Sequence, residues 1–307
     1  MNPKATICIT TYNRSETLKT KSLPSALEQK CRYPFEVIVI DDCSTDGTKE
    51  VAEDFKKQYP DLRYHRHENN RGLAAARNTG VSLAKGQFIV FLDDDDVLIP
   101  YVLEVGTILL EEMPDKQVVI GGRMVVYPEA SQYHQPPVPT AKTFYTTLDD
   151  GFVIRKEVFD KIQYDETLLT NEDADFGIQF MQKYGHASII PVNNCFLIKY
   201  GHEVGSPSSW SSPSKRTYLG MERYMEKNFP LYKKYAAKEE QEYILRYMGR
   251  LYCQGGQMRK GIPYLWRACK VKPMKKNIPL LLFALAGPRI FNWFWRQVVI
   301  SSRTRTL

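Results

Sequence analysis

The chain has 307 residues, 43% hydrophobic and 25% charged, which is typical of a globular protein with one large domain or one domain plus a smaller appendage. Residues 1–202 carry 22 Lys and Arg against 29 Asp and Glu, whereas residues 203–307 carry 20 against 6. A basic final third indicates a polyanionic partner, either anionic lipid or nucleic acid. The sequence has no apolar run of 18 residues and no zinc-ligand spacing among its six cysteines, which argues against a membrane-spanning helix and a zinc site.

The first hundred residues alternate between strand and helix patterns. Predicted strands cover Ala5–Thr10, Phe35–Ile40, Leu62–His65 and Gln87–Leu92, and predicted helices cover Ser15–Gln29, Thr48–Gln58 and Leu73–Ala84. Strands that alternate with helices and are almost wholly apolar indicate a parallel sheet whose two faces are both covered by helices. Ligands bind beyond the carboxyl ends of such strands. We therefore expect one polar crevice where three strands end, at Thr10–Arg14, Asp41–Ser44 and Asp93–Asp96.

The α/β pattern continues to about residue 200. The predicted elements are strands at Val118–Ile120, Met124–Tyr127 and Ser188–Pro191 and a helix at Glu172–Tyr184. Residues 128–142 are rich in proline and polar residues and are predicted to form a flexible flap. A Ser/Pro linker follows Gly205, and helical segments rich in Tyr, Arg and Lys run from there to the end.

Four consecutive carboxylates, Asp93–Asp96, follow the apolar strand Gln87–Leu92. Two like charges about 4 Å apart repel by about 4 kcal/mol at a partly buried site, so this arrangement is hard to explain without a cation. Carboxylate oxygens suit hard divalent ions such as Mg²⁺ or Mn²⁺. The alternative is a solvated acidic turn that caps the next helix, near Pro100.

Five motifs in a fixed order resemble those of the family 2 glycosyltransferases, which have the GT-A fold. They cover about residues 4–204 and comprise Thr10–Arg14, Asp41–Asp46, Asn70–Gly72 with Ala76–Gly80, Phe91–Asp96 and Asn171–Asp173. The resemblance implies a Rossmann-like, mostly parallel sheet flanked by helices, with a C-terminal helical extension. It further implies a nucleotide-sugar-binding half at residues 1–100, an acceptor-binding and catalytic half at 101–204, and the extension at 205–307.

Six residues are expected to bind the donor: Asp93 and Asp94 within the acidic run, and four outside it. The resemblance gives Asp42 the role of accepting the imide N–H of uracil, while Tyr12 can pack on the base and Thr10 can offer a polar contact. Arg77 lies on a helix with core residues and is expected to project toward the diphosphate or the nucleotide. The alternative for Asp42 is that it only stabilises a turn or caps a helix. The alternative for Arg77 is that it forms a salt bridge on the protein surface.

The metal, Mn²⁺ or Mg²⁺, is expected on the acidic run. Asp95 is the predicted direct ligand, and Asp93 is expected to bind the ribose hydroxyls or to reach the metal through water. Asp94 can share either role, because the fourfold repeat leaves the register ambiguous. His202 follows the last predicted strand, and in many relatives a histidine at this point closes over the metal or the diphosphate. Surface packing is its alternative.

The resemblance matches Glu172-Asp173 to the Glu-Asp pair of the family, and Asp173 is the predicted general base. Inversion needs a base opposite the leaving group, and a positioned base accelerates a reaction about 10²–10⁴-fold. Glu172 and Asp175 are the competing candidates. Asp173 is expected in the first helical turn, where the helix dipole favours an anion.

The sequence therefore predicts an inverting, metal-dependent glycosyltransferase that uses a nucleotide-diphosphate sugar, most simply a UDP-sugar. The expected acceptor is a saccharide or lipid-linked saccharide in surface polysaccharide or glycolipid biosynthesis. Cysteines in apolar contexts indicate a cytoplasmic protein, and basic residues beside Trp and Phe after Lys270 indicate peripheral binding to the anionic inner face of the cell membrane. The alternative for this segment is a helical subdomain that packs its aromatic residues internally, and no motif supports nucleic-acid binding. The alternatives are a sugar nucleotidyltransferase of related fold and a non-catalytic sugar-nucleotide-binding protein.

Overall fold

The computed structural model describes residues 2–127, 131–140, 144, 148, 150–200, 215–272 and 277–294. The chain divides into two compact units. The first comprises residues 1–168 and 172–201, and the second comprises residues 169–171 and 202–307.

The first unit contains a sheet that includes nine strands within the described residues. The strands are β1 (Ala5–Thr11), β2 (Phe35–Asp41), β3 (Arg63–Arg66), β4 (Phe88–Asp93), β5 (Val97–Leu98), β6 (Val118–Val126), β7 (Ser131–His134), β8 (Val153–Arg155) and β9 (Ile189–Tyr200). Their order is β3-β2-β1-β4-β8-β6-β9-β5, and β7 pairs with β6. The first four strands are mutually parallel, and antiparallel β8 joins them to the rest of the sheet.

The helices of this unit cover both faces of the sheet. They are α1 (Ser15–Thr17), α2 (Leu23–Leu27), α3 (Thr48–Gln58), α4 (Leu73–Leu83), α5 (Val102–Glu112) and α6 (Glu172–Tyr184). A π-helical stretch, Leu18–Ser22, separates α1 from α2, where the sequence predicted one regular helix. The predicted α/β architecture is confirmed.

Alternation along β4 explains how one strand serves two cores. Phe88, Val90 and Leu92 pack into the core beside α2 and α5, whereas Ile89 and Phe91 pack into the core beside α6. Successive side chains of a strand point to opposite faces, so an unbroken apolar run is needed where both faces are covered. The strand is therefore packed on both faces up to Leu92, directly before the acidic run begins.

Three expectations for residues 118–200 were wrong. The two strands predicted around residue 122 are one strand, β6, whose pairing with β9 has register shifts near Gly122. Residues Ser131–His134, predicted to lie within a loop, pair antiparallel with β6 as β7. Strand β9 also continues to Tyr200, well past the predicted end, because it pairs with both β6 and β5.

The second unit is helical. Its described helices with defined bounds are α7 (Lys215–Tyr235), α8 (Lys238–Gln254), α9 (Met258–Val271) and α10 (Asn277–Leu285), and residues 288–294 are also helical. Leu265, Leu280 and Phe291 form part of its apolar core. Among the described helices, none combines the length and the apolar character needed to cross a membrane.

Candidate active site

The carboxyl ends of β1, β2 and β4 lie side by side. Thr10 is in register with Asp93 of β4, and Thr11 is in register with Asp41 of β2. The polar residues that follow the three strands therefore meet at one edge of the sheet, as parallel pairing requires. Tyr12 projects from this edge with 46% of its surface exposed, so its ring is available to a ligand.

Asp42 is buried and holds the loop before α4. Its Oδ1 accepts hydrogen bonds from the backbone N–H of Arg71 (2.8 Å) and lies 2.8 Å from His67 Nδ1, while its Oδ2 accepts from the backbone N–H of Gly72 (2.7 Å). Gly72 has φ +91°, a conformation that favours glycine. The turn chemistry that the sequence left as an alternative is thus present, and a carboxylate oxygen retains capacity for another donor.

His67 was missed by the sequence reasoning. Its Nε2 lies 3.0 Å from the hydroxyl oxygen of Thr79 on α4, so the ring bridges this helix to Asp42. The residue lies just after β3, and His65 two positions earlier gives the same sequence signal. The sequence pattern alone therefore does not show which of the two, His65 or His67, forms the bridge.

Cationic side chains from distant segments offset part of the negative charge of the acidic turn. Arg14, from the loop after β1, pairs with Asp94 (3.3 Å) and with Asp95. The ammonium of Lys199, near the end of β9, lies 2.9 Å from Asp96 Oδ2 and 3.8 Å from Asp93 Oδ2. The clustering of four carboxylates therefore has a structural explanation that the sequence did not reveal.

Burial acts against ionisation in this turn. It raises the pKa of Asp94 to about 7, although the adjacent guanidinium of Arg14 opposes the shift. Burial also raises the pKa of Asp96, against the opposing effect of Lys199. Added positive charge close to these carboxylates would favour their ionised forms, which is the electrostatic condition for cation binding.

A further carboxylate completes the acidic cluster. Asp150, just before β8, accepts a hydrogen bond from Lys199 Nζ at 2.7 Å. Oxygens of Asp93, Asp96 and Asp150 all lie within 4.8 Å of one another. Sequence reasoning missed Asp150 and Lys199, because only the pairing of β8 and β9 with the rest of the sheet brings them to the acidic turn.

Arg77 is 2% exposed and is buried beneath the site. Its Nη1 donates to Glu172 (3.2 Å) and its Nη2 to Asp93 (3.5 Å), and the guanidinium lies over the rings of Phe91 and Tyr164. Burial lowers its pKa, but Tyr164 and the carboxylates outweigh that effect and hold the pKa above the usual value. The surface salt bridge that the sequence left as an alternative is wrong, because Arg77 is buried, and its direct contact with a diphosphate stays a prediction.

The three acidic residues at the start of α6 have different surroundings. Glu172 is buried against Arg77, and Asp175 is completely buried and accepts a hydrogen bond from Gln179 at 2.8 Å. Asp173 is partly exposed in the first turn. Asn171, just before the helix, has φ +62° and turns the chain into it. Exposure therefore favours Asp173 among the three candidate general bases. His202, which was predicted to lie at the metal site, is outside the described residues.

Oxygen ligands of this kind fit a hard divalent ion. Carboxylates are the groups that Mg²⁺ and Mn²⁺ prefer, and the acidic turn supplies four of them, while the Lys199 ammonium lies among Asp93, Asp96 and Asp150. A divalent metal cofactor is consistent with these donors.

Comparison with solved structures supports the fold. S. aureus TarS, residues 1–349 in complex with UDP-GlcNAc, has a TM-score of 0.58 at 22% identity, with 96% of this chain and 92% of that chain covered. A mannosyltransferase from Pyrobaculum calidifontis, in complex with GDP-Man and Mn²⁺, has a TM-score of 0.59 at 18% identity, covering 93% and 80%. The fold of the chain is thus that of GT-A glycosyltransferases.

Sequence relatives are glycosyltransferases. An uncharacterized glycosyltransferase of Methanocaldococcus jannaschii is 24% identical, over 64% of this chain and 70% of the relative. A cholesterol galactosyltransferase of Borreliella burgdorferi is 27% identical, over 71% of this chain and 65% of the relative. The match to an uncharacterized glycosyltransferase of Haemophilus influenzae covers 62% of that relative.

The family model for glycosyl transferase family 2 matches residues 6–175, which is more than half of the chain. This range includes all five sequence motifs and the acidic turn. The two alternatives that the sequence left open, a sugar nucleotidyltransferase and a non-catalytic binding protein, are therefore set aside. The chain belongs to glycosyl transferase family 2 and is a glycosyltransferase that uses nucleotide-sugar donors.

Proposed function

We propose that the chain is an inverting, metal-dependent glycosyltransferase that uses a UDP-sugar. The observation that carries the proposal is the exposure of Asp173, while its neighbours Glu172 and Asp175 are buried in contacts with Arg77 and Gln179. Asp173 accepts the proton of the acceptor hydroxyl as that oxygen attacks the anomeric carbon and the nucleoside diphosphate leaves from the opposite face.

The donor is proposed to bind across the strand ends. Tyr12 packs on the nucleotide base, Thr10 supplies a polar contact, and Asp42 accepts the imide N–H of uracil. Asp93 binds the ribose hydroxyls or reaches the metal through water, and Asp94 shares either role. The exposure of Tyr12 and the adjacency of Thr10 and Asp93 support this arrangement. A donor complex of TarS contains UDP-GlcNAc, whereas the Pyrobaculum enzyme is in complex with GDP-Man. The identity of the donor's nucleotide base, uracil or guanine, therefore needs a direct test.

Asp95 and His202 are the proposed protein ligands of a Mn²⁺ or Mg²⁺ ion. When bound, such an ion neutralises the negative charge of the leaving diphosphate. The protein's own contribution is to hold the carboxylates of the acidic turn in place, through Arg14 on one side and Lys199 on the other. The Mn²⁺ complex of the Pyrobaculum mannosyltransferase supports a divalent ion in this fold.

The test of donor and metal is release of nucleoside diphosphate from UDP-, GDP- and dTDP-sugars, with and without Mn²⁺. Asp95→Asn is expected to weaken Mn²⁺ binding by about tenfold or more, because a neutral amide replaces a charged ligand. Asp160→Asn, at an exposed position, is the matched control. Metal affinity that is equal in the two variants would overturn the ligand assignment, and turnover of no donor would overturn the reaction.

The acceptor is proposed to be a saccharide or lipid-linked saccharide, in surface polysaccharide or glycolipid biosynthesis, at the cytoplasmic face of an anionic membrane. After Glu242 the sequence holds thirteen Lys and Arg residues and no Asp or Glu. A uniformly basic segment is attracted to anionic lipid. The resemblance to a cholesterol galactosyltransferase supports an acceptor near a membrane.

The second unit presents an apolar helix face beside this charge. On α10, Ile278, Leu282 and Leu285 are exposed at helical spacing, whereas Leu280 and Ala284 are buried in the core of the unit. Part of the predicted aromatic segment packs internally, because Phe291 is fully buried and the rings of Phe283 and Phe294 stack at 3.9 Å. Trp266 and Trp293 remain more than half exposed, as interfacial anchors require.

We expect Leu282→Glu combined with Leu285→Glu to reduce co-sedimentation of the full chain with vesicles rich in phosphatidylglycerol by about tenfold or more. Each leucine buries apolar surface in the bilayer, and each glutamate adds repulsion from anionic lipid. Met113→Glu combined with Val138→Glu, exposed apolar positions of the first unit, is the control. Equal binding of the two double variants would contradict membrane attachment through α10.

A further inference from the structure

The ammonium of Lys199 lies among three carboxylates of the donor site. Its Nζ is 2.7 Å from Asp150 Oδ1, 2.9 Å from Asp96 Oδ2 and 3.8 Å from Asp93 Oδ2. Oxygens of those carboxylates approach one another within 4.8 Å, which is the spacing of ligands around a small divalent ion. The sequence predicted no role for Lys199, and its part in holding the acidic turn leaves open why a cation lies at this point.

We propose that Lys199 is a built-in cation of the donor site, which keeps divalent ions away from Asp93, Asp96 and Asp150 and directs the metal to Asp95. The inference rests on the proposed metal dependence and extends it to the protein group that selects the metal position. An ammonium fixed at this point supplies permanently the positive charge that an ion would otherwise supply.

The two cations of the acidic turn differ in how readily they can leave. Lys199 belongs to β9, and its side chain is 23% exposed, against 0% for that of Asp150. Removing the ammonium would leave Asp150 buried beside other carboxylates, which is unfavourable. Arg14 lies on the loop after β1, and its side chain is 39% exposed, so the guanidinium can turn into solvent and release Asp95.

Asp96 is held at two points on β9. Its Oδ2 contacts the Lys199 ammonium, and its Oδ1 accepts the backbone N–H of Tyr200 at 3.3 Å. The same ammonium reaches Asp93, which is proposed to face the ribose, so one side chain fixes both ends of the acidic run. Lys199 is thus a positioning residue, and its effect on metal selection is measurable without turnover.

The experiment counts Mn²⁺ ions bound per chain in the absence of donor, by electron paramagnetic resonance of the free ion. Lys199→Met is expected to bind one more Mn²⁺ than the unmodified protein, because three clustered carboxylates lose their internal counter-ion. Lys199→Arg keeps the charge and is expected to bind the same number as the unmodified protein. Lys116→Met removes an ammonium that pairs with Asp115 on a surface turn and serves as the matched control.

Adding Asp150→Asn to Lys199→Met is expected to remove the additional ion. Lys199→Gln, which retains hydrogen-bond donors, gives the same comparison if the methionine variant does not fold. An unchanged Mn²⁺ count in the folded Met or Gln variant would overturn the role of Lys199. A third outcome is possible, in which the unmodified protein binds no Mn²⁺ and the Lys199→Met or Lys199→Gln variant binds one ion. That result would support Lys199 as the internal cation and would refute metal binding at Asp95.

Discussion

Replacing Asp173 with asparagine is expected to lower kcat by about 10²–10⁴-fold, the contribution of a positioned general base. The amide is nearly isosteric but cannot accept the acceptor proton. Because Asp173 is partly exposed, whereas Glu172 and Asp175 are buried in structural contacts, the change is expected to leave the fold intact. Steady-state kinetics at saturating donor and acceptor provide the measurement.

Asp160→Asn changes another exposed carboxylate of the same unit and is expected to retain full activity. Donor affinity, measured by calorimetry, should be similar in the Asp173 variant and the unmodified protein, because the base acts on the acceptor. A kcat for Asp173→Asn within a factor of three of the control would exclude Asp173 as the base.

Arg77→Met is expected to lower the free energy of unfolding of the first unit by about 3–5 kcal/mol, the cost of removing one partner from a buried ion pair. The guanidinium contacts Glu172 at 3.2 Å and Asp93 at 3.5 Å, and its loss leaves buried Glu172 without that counter-charge. Methionine retains most of the apolar volume against Phe91 and Tyr164, so the effect reports mainly on the charge.

Urea unfolding followed by far-ultraviolet circular dichroism measures this change. All four tryptophans lie beyond residue 201, so tryptophan fluorescence reports on the second unit and serves as the internal control. Combining Arg77→Met with Glu172→Gln should cost less than the two changes added together, because the partners are coupled. A change within about 0.5 kcal/mol, as at an ordinary surface position, would contradict the buried-pair assignment.

The strands and ligand edge of the first hundred residues were predictable because their signals are local. Unbroken apolar runs at β1, β2 and β4 require cover on both faces, and the polar residues after each run mark the ligand edge. The start of α6 at Glu172 was predicted as well, from the spacing of Phe176 and Phe180. As predicted, Asp42 directly follows β2, Asp93 ends β4 and Asp173 lies in the first turn of α6, whereas their roles stay predictions.

The remaining features depend on contacts between distant segments. Asn193 and Asn194 would ordinarily favour a turn, yet pairing with β6 and β5 carries β9 through them to Tyr200. That extension is what delivers Lys199 to Asp96 and Asp150. The pairing of Arg14 with Asp95 and the burial of Arg77 likewise link segments far apart in sequence, so no local pattern encodes them.

The position of β8 has a consequence for synthesis on the ribosome. Strand β4 is flanked by β1 on one side and by β8 on the other, where Phe88 and Ile89 pair with Arg155 and Ile154. While residues 94–152 are still being translated, the apolar edge of β4 is an open template for another chain. A nascent chain stalled within that interval is therefore expected to depend on a chaperone to prevent aggregation.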